Sequence, residues 1–244
     1  MRADPLFELW VYLAATPLAG LTLTLLAYCA GYALYSRLRL HPLANPVLIA
    51  VGIIVGVLHV TNTPYRTYFE GAQFVHFLLG PAVVGLAVPL AREWDSVRRL
   101  ALPIFAALAV GSSVAIATAM SVAWLLGASP AVLLSLAPKS VTAPVAMGIA
   151  EQIGGIPALA AVFAVATGVV GASLGKYVLD VIHVTDFRAR GFAMGLAAHG
   201  IGTARSFQVD SVAGTYAGLA FGLHGMLAAV LLPIGWHVLR QRAW

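Results

Sequence analysis

A chain of 244 residues that is 61% hydrophobic and 9% charged lies far from soluble proteins, where roughly 25% of residues are charged. A mean hydropathy of +0.92 excludes a separate soluble domain. The net charge of +5 is carried by arginines standing singly or in pairs between apolar runs, which is the positive-inside pattern and not a nucleic-acid surface.

The apolar segments run over residues 9–36, 46–61, 72–91, 100–127, 130–150, 156–179, 191–209 and 213–239. The first is too long for a secretory signal, whose apolar core takes roughly 7–15 residues, and suits a membrane span of about 20. The expected fold is therefore all-α and polytopic, one integral membrane unit over residues 1–244. The single cysteine, Cys29, allows no intrachain disulfide and no metal cluster, so neither metal nor cofactor is expected.

Basic clusters follow the segments: Arg37 and Arg39, then Arg92, Arg98 and Arg99, then Lys176, Arg188 and Arg190, then Arg240 and Arg242. With all four on the cytoplasmic side, the first four segments alternate and the N-terminus lies outside. The fifth breaks the alternation. Either Pro130 to Ala137 and Ser140 to Glu151 form a re-entrant hairpin, each arm too short for roughly 30 Å of hydrocarbon at about 1.5 Å per residue, or 130–152 is a discontinuous helix that crosses. Proline and glycine gather at the same places, at Pro81, Pro89, Pro138, Pro144, Gly154, Gly155, Gly195, Gly200 and Gly202. Broken backbone at membrane depth is tolerated where protein or a wet cavity satisfies it, so these breaks point to a site. An echo between VAMGIAEQIGG at 145–155 and FAMGLAAHGIG at 192–202 suggests either chance or a duplicated unit, as transporters often contain.

Lys139 is the leading candidate for chemistry. An ammonium at membrane depth costs about 2.5–3.5 kcal/mol on insertion scales and needs a partner or a wet cavity, unless it snorkels to an interface. Pro138 and Pro144 disrupt the helix on both sides of it, Ser140 and Thr142 add hydroxyls, and a helix starting near Ser140 would aim its positive end at the same place. These features describe a carboxylate site. His199 could carry a coupled proton or be a packed histidine, and Arg205 could grip a carboxylate in two bonds or anchor the span. Asn45 is most simply a helix cap and a weaker candidate for lining the cavity. Glu151 suits a coupling carboxylate or an interfacial charge. His59, His76, His183, His224 and His237 show no ligand spacing and read as interfacial or packed, while Tyr65 and Tyr68 suit an aromatic belt. Lys139-Ser140 lacks the supporting acid and oxyanion motif of a hydrolase, so no enzyme is expected.

PKSVTAPVAM at 138–147, IGGIPALAAVF beyond it, and Gly168, Gly171 and Gly175 resemble the LrgB/CidB family of bacterial membrane proteins. NPVLIA at 45–50, YRTYFEG at 65–71, LLGPAVVGLAVPL at 78–90 and RGFAMGLAAHGIGTAR at 190–205 extend the likeness over most of the chain, in the same order. Ala143 departs from it, standing where many relatives have Thr, which removes one hydroxyl near the expected site.

The resemblance implies a multi-pass protein of the bacterial inner membrane, in contact with lipid, acting with a small holin-like LrgA/CidA partner and with self-association left open. It also implies two functions of different class. One is an antiholin-like regulator of murein hydrolase export and cell lysis. The other is a carrier of small monocarboxylates such as glycolate, glycerate or pyruvate, which the reading of Lys139 favours, with Lys139, Ser140, Thr142, Arg205, His199 and Asn45 as binding residues.

Overall fold

The computed structural model describes residues 17–41 and 44–242, so part of the expected 9–36 segment and the side chain of His76 lie outside the described residues. Among the described residues there is no strand. Four helices are long and apolar enough to cross a membrane, at Leu18–Arg37, Ala101–Leu125, Pro157–Val181 and Ser211–Val238. The chain is thus an all-α, multi-pass membrane protein. It forms two compact units, one ending at Gly85 and the other starting at Leu86.

The first unit holds α1 (Pro17–Arg37), α2 (Pro46–Val60), α3 (Tyr65–Phe77) and α4 (Leu79–Gly85). Thr24 of α1 shares a 2.8 Å hydrogen bond with the Tyr68 hydroxyl, and Tyr65 stacks on Phe69 with ring centroids 5.7 Å apart. The second unit holds α5 (Ala87–Arg92), α6 (Trp94–Arg99), α7 (Ala101–Leu125), α8 (Pro130–Leu136), α9 (Ala143–Ile153), α10 (Pro157–Val181), α11 (Phe187–Val209) and α12 (Ser211–Arg242). The apolar stretch 72–91 is not one helix as expected, because α3, α4 and α5 break at Leu78 and Leu86. Pro81 and Pro89 each stand third in a new short helix. There the missing N–H costs nothing, whereas in a continuous helix it would forfeit the bonds to Phe77 and Gly85.

Two helical hairpins organise the second unit. In the first, α8 rises, the chain turns through residues 137–142, and α9 returns. The reversal is fixed at its base, where the Ile156 amide donates to Ser135 Oγ at 2.7 Å. A methyl group on Gly155 would lie 2.9 Å from the Ser135 nitrogen. A crossing chain would separate those residues by roughly the length of α9, about 16 Å. Gly154 ends α9 at φ 86°, a left-handed conformation that glycine adopts without steric cost.

The second hairpin lies inside α11, which was expected to cross as 191–209. Ala198 and His199 leave helical geometry, with φ/ψ of −121°/15° and 41°/−132°. Beyond them the chain doubles back, so that Gly202 packs against the carbonyl of Met194. Gly191 and Gly195 then seat the rising arm on the carbonyls of Ala213 and Ala217, so α12 runs parallel to that arm. Small residues one turn apart allow this close backbone approach.

Both hairpins are read against α10. The short loop 154–156 sets α10 antiparallel to α9, while Gly171 meets Ala198 and Gly175 meets Met194 on the other side. The hairpins therefore enter from opposite ends of α10 and their tips come level with its middle. Each is followed by a long helix, α10 or α12, and these two run in opposite directions, the arrangement of an inverted-topology repeat. The sequence echo does not mark this repeat. Residues 145–155 lie on the returning arm of the first hairpin, whereas 192–202 cover the rising arm and tip of the second.

One end of the unit is tied by ion pairs. Asp180 binds Lys176 at 2.8 Å and Arg190 at 2.8 Å, and Asp186 binds Arg188 at 2.7 Å. Because 187–209 reverses, α12 runs from this end to the other, where Leu232 and Trp236 pack on the cluster of Leu134 and Ile153. The residues Arg240 and Arg242 therefore lie opposite Arg188 and Arg190, and the expectation of four basic clusters on one side fails for the last.

Candidate functional site

The first tip is built by its prolines. The Lys139 amide bonds the Leu136 carbonyl at 3.1 Å and the Val141 amide bonds Pro138 at 3.2 Å, so the chain turns tightly before α9 begins. Ser140 is buried and Lys139 half-buried. Lys139 Nζ donates to Ser140 Oγ at 3.2 Å, and among the described residues no carboxylate lies within ion-pairing distance of it. Thr142 precedes α9 in extended conformation, and its hydroxyl makes no capping bond. The first turn of α9 thus presents backbone N–H groups that have no partner within the helix.

The second tip reaches the same depth. His199 is buried, and its Nε2 lies 2.9 Å from the Ala164 carbonyl in α10. A carbonyl can only accept, so Nε2 carries the proton, and in the neutral ring Nδ1 is left as an acceptor. Two hydroxyls repair the broken helix: Thr203 donates to the His199 carbonyl at 2.8 Å, and Ser206 to that of Gly202 at 2.9 Å. Ala164 belongs to the buried cluster that contains Val141 of the first tip, so the two tips meet on one stretch of α10.

A second histidine lies beside them. His224 of α12 is buried, accepts or donates at Nδ1 with Ser112 Oγ of α7 at 2.8 Å, and one turn further on Ala228 packs in the buried cluster that holds Val141 and Ala164. Sequence reasoning missed both His224 and Ser112. The signal was a histidine and a serine each inside a long apolar run, but pairing them required knowing that α7 and α12 are neighbours.

The structure brings Lys139, Ser140, Thr142 and His199 to the two tips, and leaves Arg205 and Glu151 away from them. Arg205 stands on the returning arm, six residues and about 9 Å along the axis from His199, with a guanidinium nitrogen 3.4 Å from Gln208 Oε1. Glu151 is exposed near the far end of α9. Asn45 belongs to the first unit, where its side-chain oxygen accepts from the amides of Val47 and Leu48 at 2.9 and 3.4 Å, the cap expected of it. A separate groove of about 600 Å³, lined by α7 and the rising arm of the second hairpin, is mostly apolar and contains none of the predicted binding residues.

The model of the LrgB-like family matches residues 24–238. The protein YwbG of Bacillus subtilis (strain 168) is 34% identical over 217 residues, covering 88% of this chain and 96% of its own. YxaC of the same strain is 33% identical over 212 residues, covering 87% and 92%. The antiholin-like protein LrgB of Bacillus mycoides (strain KBAB4) is 30% identical over 219 residues, covering 90% and 95%. No solved structure matches.

Proposed function

The chain belongs to the LrgB-like family of membrane proteins, and from that premise we propose that it is a secondary carrier of small monocarboxylates and not an enzyme. The observation that carries this reading is a half-buried ammonium at the meeting point of two hairpin tips, with no carboxylate partner among the described residues. A charge there costs about 2.5–3.5 kcal/mol on insertion scales, and a bound anion offsets it. Broken helices whose ends face one another across a membrane protein are the usual construction of a secondary transporter site.

In this reading Lys139 attracts the carboxylate, and Ser140, Thr142 and the amides opening α9 bond its oxygens. His199 fixes the opposing tip. A 2-hydroxy or 2-oxo acid such as glycolate, glycerate or pyruvate supplies one further oxygen for a hydroxyl. Arg205 acts on the approach from the base of the second hairpin. The carrier works in the bacterial inner membrane with a small LrgA/CidA-like subunit.

Uptake of labelled glycolate or pyruvate into vesicles holding the chain and that subunit tests the reading. Wild type is expected to exceed empty vesicles, and Lys139→Ala to lose at least tenfold. No uptake by wild type overturns the carrier, and unchanged uptake in the mutant overturns the site.

The name antiholin-like carried by a relative at 30% identity favours a second reading, a regulator of murein hydrolase export and lysis without transport. On that reading Lys139→Ala leaves cell lysis unchanged and wild type moves no carboxylate.

A further inference from the structure

We propose that His224, held by Ser112, takes up a proton when an anion binds at Lys139, so that the carboxylate and a proton cross together. This inference rests on the carrier reading and names its coupling ion and the group that carries it.

Three elements converge around His224: α7 brings Ser112 to 2.8 Å, and Ala228, one turn further along α12, packs in the buried cluster that holds Val141 beside Lys139 of the first tip and Ala164, the partner of His199 in the second. The titratable groups that the two tips bring toward it, Lys139 and His199, are cationic or can become so, and among the described residues no carboxylate pairs with Lys139. Two cations this close repel one another unless an anion lies between them. A monocarboxylate at Lys139 supplies that anion, and protonation of His224 in turn holds the anion more tightly, since such linkage is reciprocal.

The hydrogen-bond partners divide the two histidines by role. Ser112 offers a hydroxyl, which turns to donate to a bare Nδ1 or to accept from Nδ1–H, so His224 keeps its 2.8 Å bond in either protonation state. Ala164 offers His199 only a carbonyl, which fixes a donor at Nε2 and pins the hairpin tip. His224 is thus the ring free to change its charge without losing its anchor, and His199 the one that positions.

Calorimetric titration of the full-length chain purified together with its LrgA/CidA-like subunit, with pyruvate in buffers of differing ionisation enthalpy, reads the protons taken up per anion bound. Wild type is expected to take up about one proton per anion across neutral pH. His224→Asn keeps a hydrogen-bonding atom near the Nδ1 position but cannot be protonated, and its binding heat is expected to be independent of buffer. Should that variant not bind, Ser112→Ala decides, because loss of the hydroxyl is expected to move the pH midpoint of proton uptake by at least half a unit. Anion binding without proton uptake in wild type overturns this inference and leaves the carrier standing. Full proton uptake in His224→Asn, or an unmoved midpoint in Ser112→Ala, also overturns it. Absence of any anion binding by wild type removes the carrier reading itself.

Discussion

His199 at the tip of the second hairpin donates from Nε2 to the Ala164 carbonyl at 2.9 Å, across to the middle of α10. This bond holds a non-glycine residue at φ 41°, a conformation that costs of order 1–3 kcal/mol and persists only where surrounding contacts enforce it. His199→Phe is expected to lose the bond and destabilise the protein by about 1–3 kcal/mol. Faster hydrogen exchange at 198–203 would be its local sign, and unchanged exchange there would contradict it.

The base of the first hairpin has its own lock. Ser135 is fully buried, and its hydroxyl accepts from Ile156 while donating to the Ala131 carbonyl at 2.6 Å. Ser135→Val is expected to deprive the Ile156 amide of this acceptor and lower stability by about 1 kcal/mol, read as a lower melting temperature in detergent. Ser135→Thr, which keeps the hydroxyl, should lose less.

The topology can be read by labelling. In a Cys29→Ser background, cysteines at Ser129, Gln152 and Gln241, all exposed, are expected to react from one face of the membrane, and a cysteine at His183 from the other. Labelling of positions 129 and 152 from opposite faces would refute the first hairpin. Labelling of 183 and 241 from the same face would refute the second.

Lys139 is expected to lower stability where it serves function. Lys139→Met removes a half-buried charge that has no carboxylate partner among the described residues and is expected to raise stability by about 1 kcal/mol or more while abolishing carboxylate uptake. A melting temperature below wild type would show that the ammonium contributes to folding instead.

Asp186 caps the rising arm of the second hairpin through the Arg188 amide at 2.7 Å. Bonds from the Arg188 side chain, then its amide, push the carboxyl down from 3.8 to about 2. A depressed acid contributes stability that is present above pH 3.8 and lost as pH falls through about 2. Because the group is largely exposed, Asp186→Asn is expected to cost less than about 1 kcal/mol at neutral pH, and to flatten the melting temperature between pH 4 and pH 2.

Much of the site was legible because its cost was legible. Lys139 stands out in an apolar chain, and the two prolines beside it remove helix bonds wherever the segment lies. The choice between a hairpin and a crossing over 130–152 was not legible, since both bury the same apolar residues. Only the contact of Ser135 with Ile156 separates them. The stretch 191–209 misled for the same reason: it has the length of a span, and the reversal at Ala198 and His199 is a matter of two backbone angles. Its error propagated to the side assigned to Arg240 and Arg242.

Composition alone determined that the chain lives in a membrane as helices, because unpaired backbone polar groups cannot be borne in hydrocarbon. Local sequence determined where those helices break, because proline carries no amide hydrogen. What only the tertiary structure decided is which breaks face one another. Hydropathy is a property of single segments, while the meeting of Lys139, His199 and His224 depends on three distant segments packed around α10, through contacts between small residues that carry no polarity for a sequence to show.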